Sequence, residues 1–137
     1  MAIISLLVFG CAAIPDQPVI ATQAHDERNY TRVSLIRLLA NPERYDGRYI
    51  MVEGIAYFDS RYGINGIYLT REDKRAGNGL NGLFVVFNPT LPKVDHLNEQ
   101  YVLARGTFRA HEKGRLDSFS SSLFDVTLVR PMKLDVN

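Results

Sequence analysis

The residues best suited to chemistry gather in the last third of the chain. Starting at Tyr101, one alternating set holds Tyr101, Leu103, Arg105, Thr107, Arg109 and His111, and Lys113 and Arg115 follow it. Alternate side chains of an extended strand share a face. Arginine and tyrosine on one face can hold an anion, a sugar or a single strand of nucleic acid, by charge and by stacking. Tyr101, Arg105, Arg109, His111 and Arg115 therefore form the candidate ligand-binding face. The alternative is structural: Arg105 pairs across strands with Glu53, and the face is merely solvated.

Other reactive types lack the spacing their chemistry needs. The three histidines, His25, His96 and His111, are far apart and do not have zinc-ligand spacings. Ser118 and Ser120 to Ser122 lie near His111 and Asp117, but no Gly-x-Ser-x-Gly elbow frames them. The glycine-rich stretch from Ala76 to Gly82 matches neither a phosphate loop nor a dinucleotide fingerprint. Glu72 and Asp73 are adjacent, and adjacent side chains on a helical turn point apart. The sequence thus predicts a non-enzymatic protein with no metal site and no cofactor.

Composition sets the class. With 137 residues, 46% hydrophobic and 23% charged, the chain suits one globular domain with a core. Sixteen basic residues against fifteen acidic give a net charge of +1. Net charge therefore offers no general attraction to nucleic acid or to anionic membranes. A single cysteine cannot close an internal disulfide, so the fold must rest on its core.

The N-terminus reads as an address. Residues Ala2 to Ile14 carry no charge, yet the run is too short to span a bilayer, which takes about 20 residues. It suits the apolar part of an export signal. Within it, Val8-Phe9-Gly10-Cys11 resembles the bacterial lipobox, with an apolar residue three places before the cysteine and a small one just before it. Phe9 is larger than that pattern favours, and no Lys or Arg precedes the run. The resemblance implies cleavage before Cys11 and attachment of lipid to its thiol. The alternatives are an ordinary export signal, or a plain cysteine in a buried N-terminal segment. On the lipobox reading, residues 1–10 are signal-like, 11–30 form a flexible tether, and 31–137 form the domain. The partner would be a membrane, reached through the lipid anchor. The location would be the bacterial cell envelope, facing the periplasm or the exterior.

The elements that must position the candidate face are mostly strands. Val33 to Ala40 reads as one short helix with Leu35, Leu38 and Leu39 on its apolar side, Thr31 as a possible cap and Asn41-Pro42 as its stop. Asp46-Gly47 is a turn. Strands are predicted over 49–58, 67–69, 83–87, 101–110 and 122–130, with a helical turn capped by Thr70 and an irregular connection over 88–100. In the first strand Ile50, Val52, Gly54, Ala56 and Phe58 face inward; in the fourth Val102, Ala104, Gly106 and Phe108 do. The hexapeptides Tyr49 to Gly54 and Tyr101 to Gly106 echo each other, and their glycines mark mid-strand bends. Five strands, two of them bent, predict a small barrel, whose closure removes exposed edges.

Asn41-Pro42-Glu43-Arg44-Tyr45-Asp46-Gly47-Arg48-Tyr49, Val52-Glu53-Gly54, the stretch from Tyr68 to Asp73, Tyr101 to Phe108 and Gly114-Arg115-Leu116 occur in an order that carries a resemblance. Over residues 34–130 the chain resembles a group of small, uncharacterised bacterial proteins, often lipoproteins, with an oligonucleotide/oligosaccharide-binding (OB)-like barrel. The resemblance implies a mainly β fold: a small five-stranded OB-like barrel with one short N-terminal helix. It carries no functional residue. The expected function is an envelope-associated, lipid-anchored binding or interaction module, with an envelope protein or a small ligand as partner. Single-stranded nucleic-acid binding is the alternative, disfavoured by the exported location.

Overall fold

Alternation in the two long strands becomes alternation between core and surface. Ile50, Val52, Ala56 and Phe58 on one strand and Val102, Ala104 and Phe108 on the other are fully buried. The computed structural model describes Gly10 and residues 29–133. Cys11, the signal-like segment 1–10 apart from Gly10, the tether up to residue 28 and His25 lie outside the described residues.

The elements are β1 (Thr31–Arg32), α1 (Leu35–Ala40), α2 (Pro42–Tyr45), β2 (Tyr49–Asp59), β3 (Ile64–Tyr68), α3 (Arg71–Ala76), β4 (Gly82–Phe87), β5 (Tyr101–Arg109) and β6 (Ser121–Pro131). Three short 3-10 turns occupy Gly79–Asn81, Asp95–Leu97 and Arg115–Asp117. Strands run in the order β2-β3-β4-β6-β5, and β5 pairs back onto β2. This is a closed five-stranded barrel. All its contacts are antiparallel except β4 on β6, which is parallel.

β2 makes closure possible by changing neighbours along its length. Residues 49–55 pair with β5, and residues 55–59 pair with β3. Gly54 stands at the change. A Cβ there would lie 2.7 Å from the Tyr68 carbonyl oxygen and 2.6 Å from Ile67 Cγ2. Gly106 does the same for β5, where the β5–β6 register shifts: a Cβ would lie 2.6 Å from the Phe124 carbonyl oxygen. The glycines expected to bend the strands are sites where another strand's backbone comes too close for any side chain.

The N-terminal part differs from expectation. Ser34, not Thr31, caps α1, its hydroxyl accepting from the Arg37 amide at 3.3 Å. Pro42 ends α1 but also starts α2, because the first helical turn tolerates proline. α3 is a third short helix, capped by Thr70 as the sequence suggested. The sequence did not signal β1, which pairs in parallel with Ile50 and Met51 where β3 does not reach. Val33, Leu35, Leu38 and Tyr45 join the barrel core. The second predicted strand begins earlier, at Ile64.

The expected Arg105–Glu53 pair does not form. β2 and β5 are antiparallel, so Glu53 faces Leu103 and Arg105 faces Met51. Glu53 instead binds the Arg32 guanidinium. Gly106→Ala is expected to cost about 1–3 kcal/mol, the range for a forced overpacking. Urea denaturation of the full chain measures it; an unchanged midpoint would mean that the close approach does not govern closure.

Candidate ligand groove

The outer face of β3 and β4 is built to be covered. Ile64, Gly66 and Tyr68 alternate with the inward Ile67, and the register sets Phe84 opposite Gly66 and Gly82 opposite Tyr68. The connection from β5 to β6 folds across this face and sets Phe119 upon it. Phe119 is 3% exposed, with its ring 5.7 Å from that of Tyr68 and 5.6 Å from that of Phe84. Gly66 leaves the space beneath it, since a Cβ there would stand 2.8 Å from the Phe119 ring. Gly114, at φ 69°, gives way to Phe84. The Ser120 hydroxyl then donates to the Leu80 carbonyl at 2.6 Å. The covered position pushes the Tyr68 phenol pKa up, chiefly by desolvation.

Beside the covered part an open groove of about 310 Å³ remains. Tyr62 and Ile64, from the β2–β3 hairpin, form one side, and Arg115, Leu116 and Ser118 form the other. Phe84 and Phe119 complete it. Leu116 is 98% exposed and Tyr62 65%. Leu116 and Asp117 both have positive φ, at 55° and 52°. Left-handed backbone costs non-glycine residues of order 1–3 kcal/mol, and such strain persists only where the surroundings enforce it. Here the Phe119 amide donates to the Lys113 carbonyl at 3.0 Å, and the Ser118 hydroxyl to the Arg115 carbonyl at 2.6 Å. Arg115 Nη1 reaches the Tyr62 carbonyl at 3.4 Å, linking the two sides. On the hairpin, the Arg61 guanidinium pairs with Asp59 at 3.0 Å and holds its carboxyl below the usual range. The same guanidinium lies 5.5 Å from the Tyr62 ring centroid.

The five candidate residues read from the sequence do not meet. Arg115 alone lines this groove. Tyr101 lies on the outside of β5, where desolvation first and then Glu53, which accepts its hydrogen bond, push its pKa up. It borders a separate cavity of about 240 Å³ with Arg32, Leu35, Ile36 and Leu69. The Arg105 guanidinium stacks 4.6 Å from the Tyr30 ring centroid. That of Arg109 sits 5.9 Å from the Phe124 ring centroid, and His111 Nε2 meets Glu43 at 3.2 Å. One parity did put these side chains outward, but each found a partner within the fold. Tyr62, Ile64, Phe84, Leu116 and Phe119 were not among the candidates for a binding face. The signal available for them was apolar residues inside turn-forming stretches, Tyr62-Gly63-Ile64 and Gly114-Arg115-Leu116.

The serines near His111 are committed elsewhere. Ser118 and Ser121 donate to the carbonyls of Arg115 and Ala110. Among the described residues no three His, Cys, Asp or Glu side chains are grouped to hold a metal.

The strand order defines a small OB-like barrel, and the groove lies at the face and loops where such barrels take ligands. No protein-family model matches the chain, and no curated protein does. Solved structures do. One is a DUF3299 family protein from Pseudomonas aeruginosa PAO1, 14% identical, covering 67% of this chain with a TM-score of 0.49; the chain spans 66% of that protein's length. Another is the telomere capping protein Ten1 from Saccharomyces pombe, 14% identical, with a TM-score of 0.50 over 80% of this chain and 86% of that one. The likeness to Ten1 is one of fold.

Phe119→Ala is expected to cost about 3 kcal/mol or more, because a buried ring is lost from the sheet face. Leu116→Asn should leave stability unchanged or raise it, since asparagine tolerates left-handed backbone. Thermal melts of the two variants side by side check this, and equal losses would contradict it.

Proposed function

We propose that this protein is a non-enzymatic binding module held at the bacterial cell envelope by lipid on Cys11. Its ligand sits in the groove between the β2–β3 hairpin and the Arg115–Ser118 turn. The observation that carries the binding reading is the groove itself, where Leu116 is held out on strained backbone at 98% exposure, facing Tyr62 and Ile64. A soluble fold gains nothing by exposing leucine this way, whereas a recognition surface does. The anchor reading is supported by the apolar run from Ala2 and by Val8-Phe9-Gly10-Cys11. β1 enters beside the first residues of β2, while the hairpin bearing Tyr62 leaves its last. An anchored barrel would therefore carry the groove at the far end of β2 from its attachment.

Intact mass of the protein from fractionated native cells tests the anchor. The expected mass is that of residues 11–137 plus a diacylglyceryl and an acyl group, found with membranes. An unmodified full-length mass in the soluble fraction rejects it. The groove has its own test: methyl resonances of Ile64 and Leu116 followed while peptides, oligosaccharides or oligothymidylate are added. Movement of both methyls with one class is expected. No movement with any of them counts against the groove.

A second reading is binding of single-stranded nucleic acid. Arg115 beside the exposed Tyr62 ring favours it, as does a fold shared with a telomere capping protein. It predicts oligothymidylate binding that weakens steeply with salt.

A further inference from the structure

Resting on that groove reading, we infer that the groove's occupant is a short extended segment of a partner protein. It seats a branched aliphatic side chain between Ile64 and Leu116 and sets a neighbouring carboxylate on Arg115. Three observations point to protein rather than nucleic acid.

The first concerns the aromatic rings. A base needs an open ring face to stack on, worth a measurable share of binding for each base. Here Arg61 stands near the Tyr62 ring, Phe119 packs on Phe84, and Gly114 presses against the other atoms of Phe84. Phe119 itself is buried. The one exposed ring of the lining, Tyr62 at 65%, already carries the Arg61 guanidinium, and beside it the exposed lining is aliphatic, with Leu116 at 98% and Ile64 at 37%.

The second is charge. Arg115 is the one charged residue lining the groove. Among the described residues it has no carboxylate partner, while Arg32, Arg61 and Lys74 each do. A guanidinium at the edge of an apolar slot, with most of its donors free, matches a carboxylate in two-pronged geometry.

The third is the backbone. β3 and β4 pair only over Gly66–Tyr68 and Gly82–Phe84. Beyond Gly66, toward the groove, Asn65 and Ile64 pair with β2 alone. An extended peptide can use such an edge, with side chains alternately entering the slot. A volume of about 310 Å³ holds one or two side chains rather than a long polymer. The backbone that presents Leu116 is already fixed, so docking orders little that is not ordered before contact.

The test uses the full chain and fluorescein-labelled heptapeptides with a central leucine followed by Glu, Gln or Lys. Oligothymidylate at low salt runs in parallel. The expected result is binding about tenfold tighter for the Leu-Glu peptide than for Leu-Lys, one step on the affinity scale. Arg115→Gln should erase that ratio, and Leu116→Asp should weaken binding about 30-fold, as for a central interface anchor. Both positions are on the surface, and thermal melts verify that each variant folds. Equal binding of the three peptides, or binding unchanged in both variants, overturns the inference. Arg115-dependent binding of oligothymidylate alone overturns it too, while leaving the groove as the site. A concentration-dependent dimer abolished by Leu116→Asp gives the groove to a second copy of this chain and likewise overturns it. If no probe binds and neither methyl shifts, the groove reading falls as well.

Discussion

At two glycines within strands a carbonyl oxygen stands within 2.7 Å of where a Cβ would be, and the barrel depends on both approaches. Tyr68 supplies the oxygen at Gly54 and Phe124 supplies it at Gly106. β2 can hand over from β5 to β3 only where the neighbouring backbone is allowed this close. β5 follows β6 through its register shift under the same condition. A closed ring of five strands leaves most main-chain donors and acceptors paired, which is why a chain without disulfides can rely on its core. Everything on the outer surface inherits its position from that closure. Gly66 and Phe84 lie side by side only because β3 and β4 are both bound into the ring.

The outer face then meets a second demand. A sheet face bearing Tyr68 and Phe84 leaves apolar surface to water unless something covers it. The β5–β6 connection does so with one residue, Phe119, which fits because Gly66 has no side chain. The cover stops short. Just before Phe119 the chain turns through left-handed backbone at Leu116 and Asp117 and leaves the groove open. Protection of the sheet face and opening of the groove thus come from one loop, divided within about four residues.

Much of this fold could be read from the residues. Period-two alternation assigned the inward faces of β2 and β5, because a half-buried strand must alternate. Asp46-Gly47 announced a turn, and Gly47 does adopt positive φ, at 74°. Register could not be read. The echo between Tyr49 to Gly54 and Tyr101 to Gly106 suggested Glu53 and Arg105 as partners, yet antiparallel pairing reverses one copy against the other. Similar sequence in two strands says that they do similar work, not which residues touch. β1 was invisible because two residues carry no period. The candidate face was assigned correctly to the surface, but its side chains turn to Tyr30, Phe124 and Glu43 within the fold. Those partners are distant in sequence, and nothing local announces them. The groove was missed for the opposite reason: its apolar residues lie in turns, where periodicity has nothing to measure.

The parallel contact between β4 and β6 has a consequence for how the chain is made. β6 lies between β4 and β5, though it is the barrel's last strand in chain order. Until it has been synthesised, β4 and β5 each keep one bare edge, and the ring cannot shut. A nascent chain lacking β6 is an open four-stranded sheet with two sticky margins, prone to pair with its neighbours. A barrel that closes last-in therefore reaches its native state only once the whole of β6 has been made.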